Sequence, residues 1–166
     1  MCKKKKEKHH QTLNETMQTS TDFINNVCKL KYNELCEEQA LSTNSNKIYM
    51  NHNVVIKESF GTKVTAQRID KEVSLTKYLY TNSEVVSDHI PNVIDHLVFD
   101  DASVVIQQKC GEDGLTVFNR GHVDVEEMTF QLVPVINDMH KLGYAHHDIK
   151  PENLTTDIVS GHWFLI

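Results

Sequence analysis

The stretch "HHDIKPEN", residues 146–153, places an acid, a cation and an amide in one polar loop. Those types suit phosphoryl transfer. The transferred group is already reactive there, so a protein mainly positions it, neutralises its charge and places a base beside the acceptor. Asp148 is the candidate to accept the acceptor's hydroxyl proton, Lys150 to meet the γ-phosphate, and Asn153 to ligate magnesium through its amide oxygen. A metal site is a second chemistry to weigh, because His140, His146, His147 and Asp148 lie within nine positions. The histidines of a helix and of a loop are aimed by different backbones, however, and no familiar ligand spacing is present. The plainer role for His146 is a ring that bonds backbone carbonyls and braces the loop.

The elements that must position this loop can be read from periodicity. "KIYMNHNVVIK" has two apolar runs around Asn51, His52 and Asn53, residues that tolerate tight turns, and reads as a β-hairpin whose second strand ends on Lys57. "TAQRIDKEVSLTKYLY" repeats its apolar residues at helical intervals, with Glu72 in the middle. "HIPNVIDHLVF" and "ASVVIQQK" read as two strands joined by the acidic turn "DDAS", and "CGEDGL" as a hinge-like break. A long amphipathic helix is expected over Val125 to Leu142. Asp124 and Glu127 form its capping pair, Gly143 its stop, and Pro134 predicts a kink inside it. After the polar loop come two short strands, "NLTT" and "HWFLI".

The loop resembles the catalytic loop of eukaryotic-type protein kinases, usually written HRD, four residues, then Asn. His146, Asp148 and Asn153 match its spacing, and "DIKPEN" is close to the Ser/Thr-kinase form. "VVIK" looks like the VAIK strand of that family. The resemblance then implies that Lys57 holds the α and β phosphates of ATP and that Glu72 pairs with it from the next helix. "SVVIQQKCGEDGL" is similar to the fifth strand and hinge. There the backbone of Gln108 to Cys110 would bind the adenine edge, with Gln107 at the back of the pocket.

The resemblance also implies an α+β, protein-kinase-like fold: an N-terminal antiparallel β-sheet lobe with one helix, then the start of a helical C-lobe. Residues 1–37 would be a polar extension and 38–166 the kinase-like domain, with an N-lobe over about 38–107, a hinge over about 108–114 and a partial C-lobe over 115–166. Its cofactors would be ATP and Mg2+. The expected activity is ATP-dependent transfer to a protein Ser or Thr hydroxyl.

Three departures stand beside the matches. The segment that should form the phosphate-covering lid, "ALSTNSN", has no glycine, which predicts weak nucleotide affinity. His147 occupies the place of the family's arginine, so regulation through a phosphorylated activation segment is not expected. The strand "HWFLI" would run into the metal-binding Asp-Phe-Gly, and the sequence stops at Ile166. The alternative function is therefore a catalytically impaired pseudokinase or kinase fragment that binds or inhibits another kinase, of the kind a compact viral genome carries. Small-molecule kinases, such as aminoglycoside and choline phosphotransferases, share the HxD loop but usually lack a lysine two residues after the aspartate, so Lys150 favours a protein substrate.

Composition narrows the rest. With 166 residues, 39% of them hydrophobic and 24% charged, the chain can bury a core of about one domain. A formal charge of -6 argues against a nucleic-acid-coating surface. Cys2, Cys28, Cys36 and Cys110 form no CxxC pair, and read as reduced thiols of an intracellular protein, cytoplasmic or nuclear. No apolar run approaches a membrane span or a signal peptide. The run Lys3 to Lys6 reads as a solvated terminus.

Overall fold

A computed structural model describes residues 37–38, 46–60, 63–99, 102–121 and 123–166. The readings of residues 1–37 as a polar extension and of the glycine-free lid fall outside these residues, apart from Glu37 in a short strand and Asn46 at the start of another. The fold is α+β. A five-stranded antiparallel sheet has the order β1-β2-β3-β5-β4. Its strands are β1 (Glu37–Glu38), β2 (Asn46–Met50), β3 (Val54–Phe60), β4 (Val93–Val98) and β5 (Ala102–Gln108). A smaller antiparallel sheet joins β6 (Glu112–Asp113), β7 (Leu154–Asp157) and β8 (His162–Leu165). The helices are α1 (Lys63–Asn82), α2 (Glu84–Asp88), α3 (Gly114–Asn119) and α4 (Val125–Lys141), with a 3-10 turn at Pro151–Asn153.

Local chemistry accounts for the main boundaries. The β2–β3 hairpin forms because Asn51 Oδ1 accepts from the backbone N–H groups of Asn53 and Val54, both at 2.8 Å, closing the turn through its own side chain. β3 does not end on Lys57 as the sequence suggested but continues to Phe60. Its ladder with β5 carries on through Ser59 opposite Ser103, a pair of small, fully buried side chains. "HIPNVIDHLVF" is a strand only from Val93. The residues before it leave α2, a helix not foreseen, which starts where Ser83 accepts from Val86 N–H at 3.1 Å. In α4, Asp124 accepts from Glu127 N–H at 3.0 Å, the expected cap, and the chain leaves the helix through Gly143 at φ +86°. Pro134 lies exposed within α4, away from the buried Leu132, Val135 and Met139, and the chain is helical on both sides of it.

Three apolar clusters hold these elements. Ile69 and Val73 of α1 pack on Val105 of β5, with Val93 beside them. Tyr49, Val54, Ile56, Val104 and Ile106 form a second cluster within the sheet. The third joins the end of α1 and α2 to α4, β7 and β8 through Leu79, Val86, Ile90, Val135, Trp163 and Leu165. The strands that flank the polar loop therefore share a core with the helix that carries Glu72. No helix among the described residues is long and apolar enough to cross a membrane.

Candidate active site

Lys57 leaves β3 on the face covered by α1, and its Nζ lies 2.7 Å from Glu72 Oε1. The two residues are fifteen apart in the chain, so only the docking of α1 on the sheet brings them together. Both side chains are part-exposed, which makes the pair a weak source of stability and leaves the ammonium accessible to an anion.

The loop is built differently. Asn153 Nδ2 donates to both the backbone carbonyl and Oδ2 of Asp148, each at 2.8 Å, and Lys150 Nζ is 2.9 Å from the same Oδ2. Both side-chain bonds fall on Oδ2 rather than on Oδ1. The hydrogen bond from Lys150, then that from Asn153, holds the Asp148 carboxyl below its usual range, and Asp148 in turn raises Lys150. A carboxylate so stabilised orients a hydroxyl better than it deprotonates one.

His146 braces the loop from below. Its Nε2 is 3.2 Å from the Ile166 carbonyl, which can only accept, so Nε2 carries the proton. Nδ1 is then the acceptor for a long, weak contact of 3.4 Å from Asp148 N–H. Ile166 N–H bonds the Asn153 carbonyl at 2.9 Å, so the chain after β8 is tied to both ends of the loop. Between His146 and Asp148, the exposed His147 sits at φ +63°, a left-handed conformation uncommon outside glycine, which turns the chain so that Asp148 meets Asn153.

At the hinge, Gln108 N–H bonds the Asn92 carbonyl at 2.9 Å and Lys109 N–H bonds the Asn53 carbonyl at 3.0 Å. The backbone N–H groups of Gln108 and Lys109 are thus both taken within the fold. The Gln108 carbonyl also has the Cys110 Sγ at 3.8 Å, and burial pushes that thiol up to about 12. Gln107 is buried at the end of β5.

Two glycines were read from sequence only as strand breakers. Gly111, at φ +97°, runs so close to β7 that an added Cβ would lie 2.2 Å from the Thr156 carbonyl oxygen. A Cβ on Gly114 would lie 2.6 Å from the Pro151 carbonyl oxygen. They let the hinge and α3 press directly on the strand and turn at the end of the polar loop. Two glycines three apart after a strand were the only sequence signal for this, and spacing does not name the partner.

Lys57 and Glu72 thus form one cluster and Asp148, Lys150 and Asn153 another, with Gln108 and Cys110 at the hinge. Among the described residues no three His, Cys, Asp or Glu side chains are grouped closely enough to hold a metal ion, so His140, His146, His147 and Asp148 do not form such a site. A cavity of about 220 Å³ lies elsewhere, between α1 and the start of β4, lined by Thr76, Lys77, Tyr80, Thr81, Asn92 and Val93. It contains none of the clustered residues.

No protein-family model matches the chain. Among curated proteins, Citron Rho-interacting kinase of Mus musculus is 34% identical over 59 residues, 32% of this chain and 3% of that protein. The Rattus norvegicus counterpart is 34% identical over 68 residues, 38% of this chain. The match thus spans about 3% of the length of these relatives. Among solved structures, the kinase domain of PF14_0431 has a TM-score of 0.61 at 15% identity, over 80% of this chain and 49% of that one. WbdD has a TM-score of 0.60 at 20% identity, over 80% of this chain and 32% of its own. WbdD has also been solved with the kinase inhibitor LY294002, in a structure with a TM-score of 0.57 to this chain. The α+β architecture of an antiparallel sheet, one long helix against it, a hinge and a helix leading into the polar loop is the kinase-like fold.

Proposed function

We propose that this chain is a protein-kinase-type phosphotransferase domain that binds Mg-ATP and passes the γ-phosphoryl to a protein Ser or Thr hydroxyl. The observation that carries the reading is the Lys57–Glu72 contact at 2.7 Å, a long-range pair that the loop resemblance required and that no local pattern could produce. Asp148 Oδ1 would orient the acceptor hydroxyl and receive its proton, and Lys150 and Lys57 would neutralise phosphate charge. Glu72 would hold Lys57 extended, and the Gln108 carbonyl with the Cys110 backbone would meet the adenine edge. The donor set suits a magnesium ion that keeps water and phosphate oxygens as most of its ligands, with Asn153 Oδ1 the amide oxygen offered to it. ATP supplies the reactive phosphoryl group, and the protein's contribution is position and charge.

Thermal denaturation with and without Mg-ATP tests this. The reading expects a nucleotide-dependent rise in Tm that disappears in Lys57→Ala, since a ligand bound only by the folded state stabilises it by mass action. Transfer to a generic Ser/Thr substrate, with Asp148→Asn as control, then tests the chemistry. A chain that melts cooperatively with no nucleotide shift would defeat the enzyme reading. A binding-module role on another kinase would then lead, favoured by the outer face of α4, where Phe130 is 77% and Val133 54% exposed.

A further inference from the structure

Three polar side chains from three elements meet beside the apolar seam of α1. Ser103 Oγ of β5 donates to Asp70 Oδ1 at 2.8 Å, and His96 Nε2 of β4 lies 3.0 Å from the same Oδ1 and 3.1 Å from Ser103 Oγ. A carboxylate oxygen only accepts, so Nε2 carries the proton and donates. The residue types are those of a nucleophilic triad, but Ser103 is 0% exposed and no substrate can reach it. The set is a structural contact between helix and sheet.

Its position on the helix gives it a consequence. At about 100° per residue, Ile69 and Val73 lie at the centre of the buried face of α1, with Asp70 about 80° to one side and Glu72 about 80° to the other. Ile69 and Val73 pack on Val105 and Val93, an apolar contact that is non-directional and tolerates a roll of the helix about its axis. The hydrogen bonds to Asp70 do not tolerate it, because a roll would carry the carboxylate away and leave the buried Ser103 O–H without its acceptor. Lys57 stands opposite Val105 in the sheet, two positions from Ser103 on the same face.

We propose that Asp70, His96 and Ser103 form a positioning lock that sets the roll of α1 and thereby holds Glu72 on Lys57. The functional consequence rests on the nucleotide-site reading above; the lock itself does not. With the lock opened, α1 rolls, Glu72 leaves Lys57, and affinity for Mg-ATP falls by the same factor as in Glu72→Gln.

The test is the side-chain NMR signal of Lys57 in the 166-residue chain, assigned by its loss in Lys57→Arg, with Glu72→Gln marking the unpaired position. His96→Ala and Ser103→Ala should each move the signal to that position, His96→Gln, which keeps an N–H donor, should return it toward the parent, and His96→Ala should add nothing in a Glu72→Gln background. An unchanged Lys57 signal in a folded His96→Ala variant, or a His96→Gln indistinguishable from His96→Ala, overturns the lock. If His96→Ala does not fold, Ser103→Ala, which removes one oxygen, decides by the same criteria. A Mg-ATP melting series runs in parallel. A Lys57 signal that responds in a chain whose Tm ignores nucleotide leaves the lock standing and removes the nucleotide reading, and the converse result removes the lock alone.

Discussion

The Lys57–Glu72 pair and the Asp148–Lys150–Asn153 cluster have contacts of similar length, 2.7 Å against 2.8 to 2.9 Å, yet they are held in different ways. The first joins residues of two regular elements, fifteen apart in the chain, and exists only while α1 is docked. The second lies within five residues and closes through its own bonds, with Asn153 N–H on the Lys150 carbonyl at 2.9 Å as a further tie. A long-range pair reports on tertiary packing, whereas a local cluster reports mainly on loop conformation. The difference gives each region its own way to fail.

The largest expected effect removes that distinction. Trp163 of β8 is buried in the core that joins α1 and α2 to α4, and it packs on Phe118 with ring centroids 6.0 Å apart. Trp163→Ala should cost about 3 to 5 kcal/mol and lower Tm for both regions together, measured by thermal or denaturant unfolding. Gly111→Ala comes next. It forces a left-handed φ and a collision with the Thr156 carbonyl, and should cost on the order of 2 kcal/mol. Amide exchange in that variant should accelerate first in β6 and β7 and leave β3 and α1 protected, which would separate the hinge side from the sheet side.

Asp124→Ala removes the cap of α4 and should cost about 1 kcal/mol, read as a shift in the denaturant midpoint. Glu72→Gln should change stability by less than about 1 kcal/mol, because the pair is part-exposed, while abolishing the Lys57-dependent nucleotide shift. A large loss of stability in Glu72→Gln would mean that the pair holds the fold rather than the site.

The smallest effect belongs to the loop and is electrostatic. Asp148 has a depressed folded pKa, so its contribution to stability is present above the ordinary carboxylate value and is lost as pH falls through the folded one. Carboxyl-carbon NMR should show Asp148 titrating below an ordinary aspartate, and Lys150→Ala should move it upward, since the Lys150 bond is the largest cause. No upward movement would assign the shift to Asn153 instead.

Much of the fold was legible because its signals are local. Asn51 announced the hairpin turn, Asp124 and Glu127 the start of α4, and the apolar repeat of "TAQRIDKEVSLTKYLY" the long helix against the sheet. The misses have equally local causes. β3 runs past Lys57 because its strand partner, not its own sequence, decides where pairing ends. The start of β4 was placed early because Ser83 caps a helix too short to show periodicity.

The sequence by itself determined which chemistry was available: an aspartate, a lysine and an asparagine at fixed spacing in one loop, where a few bonds between near neighbours suffice to gather them. Only the tertiary structure decided that Lys57 meets Glu72, that Gly111 presses on Thr156, and that Asp70, His96 and Ser103 converge beside the seam of α1. Those contacts depend on the height and roll of one element on another. Such variables are set by buried area and by the need to pair buried polar groups, and no spacing along the chain encodes them.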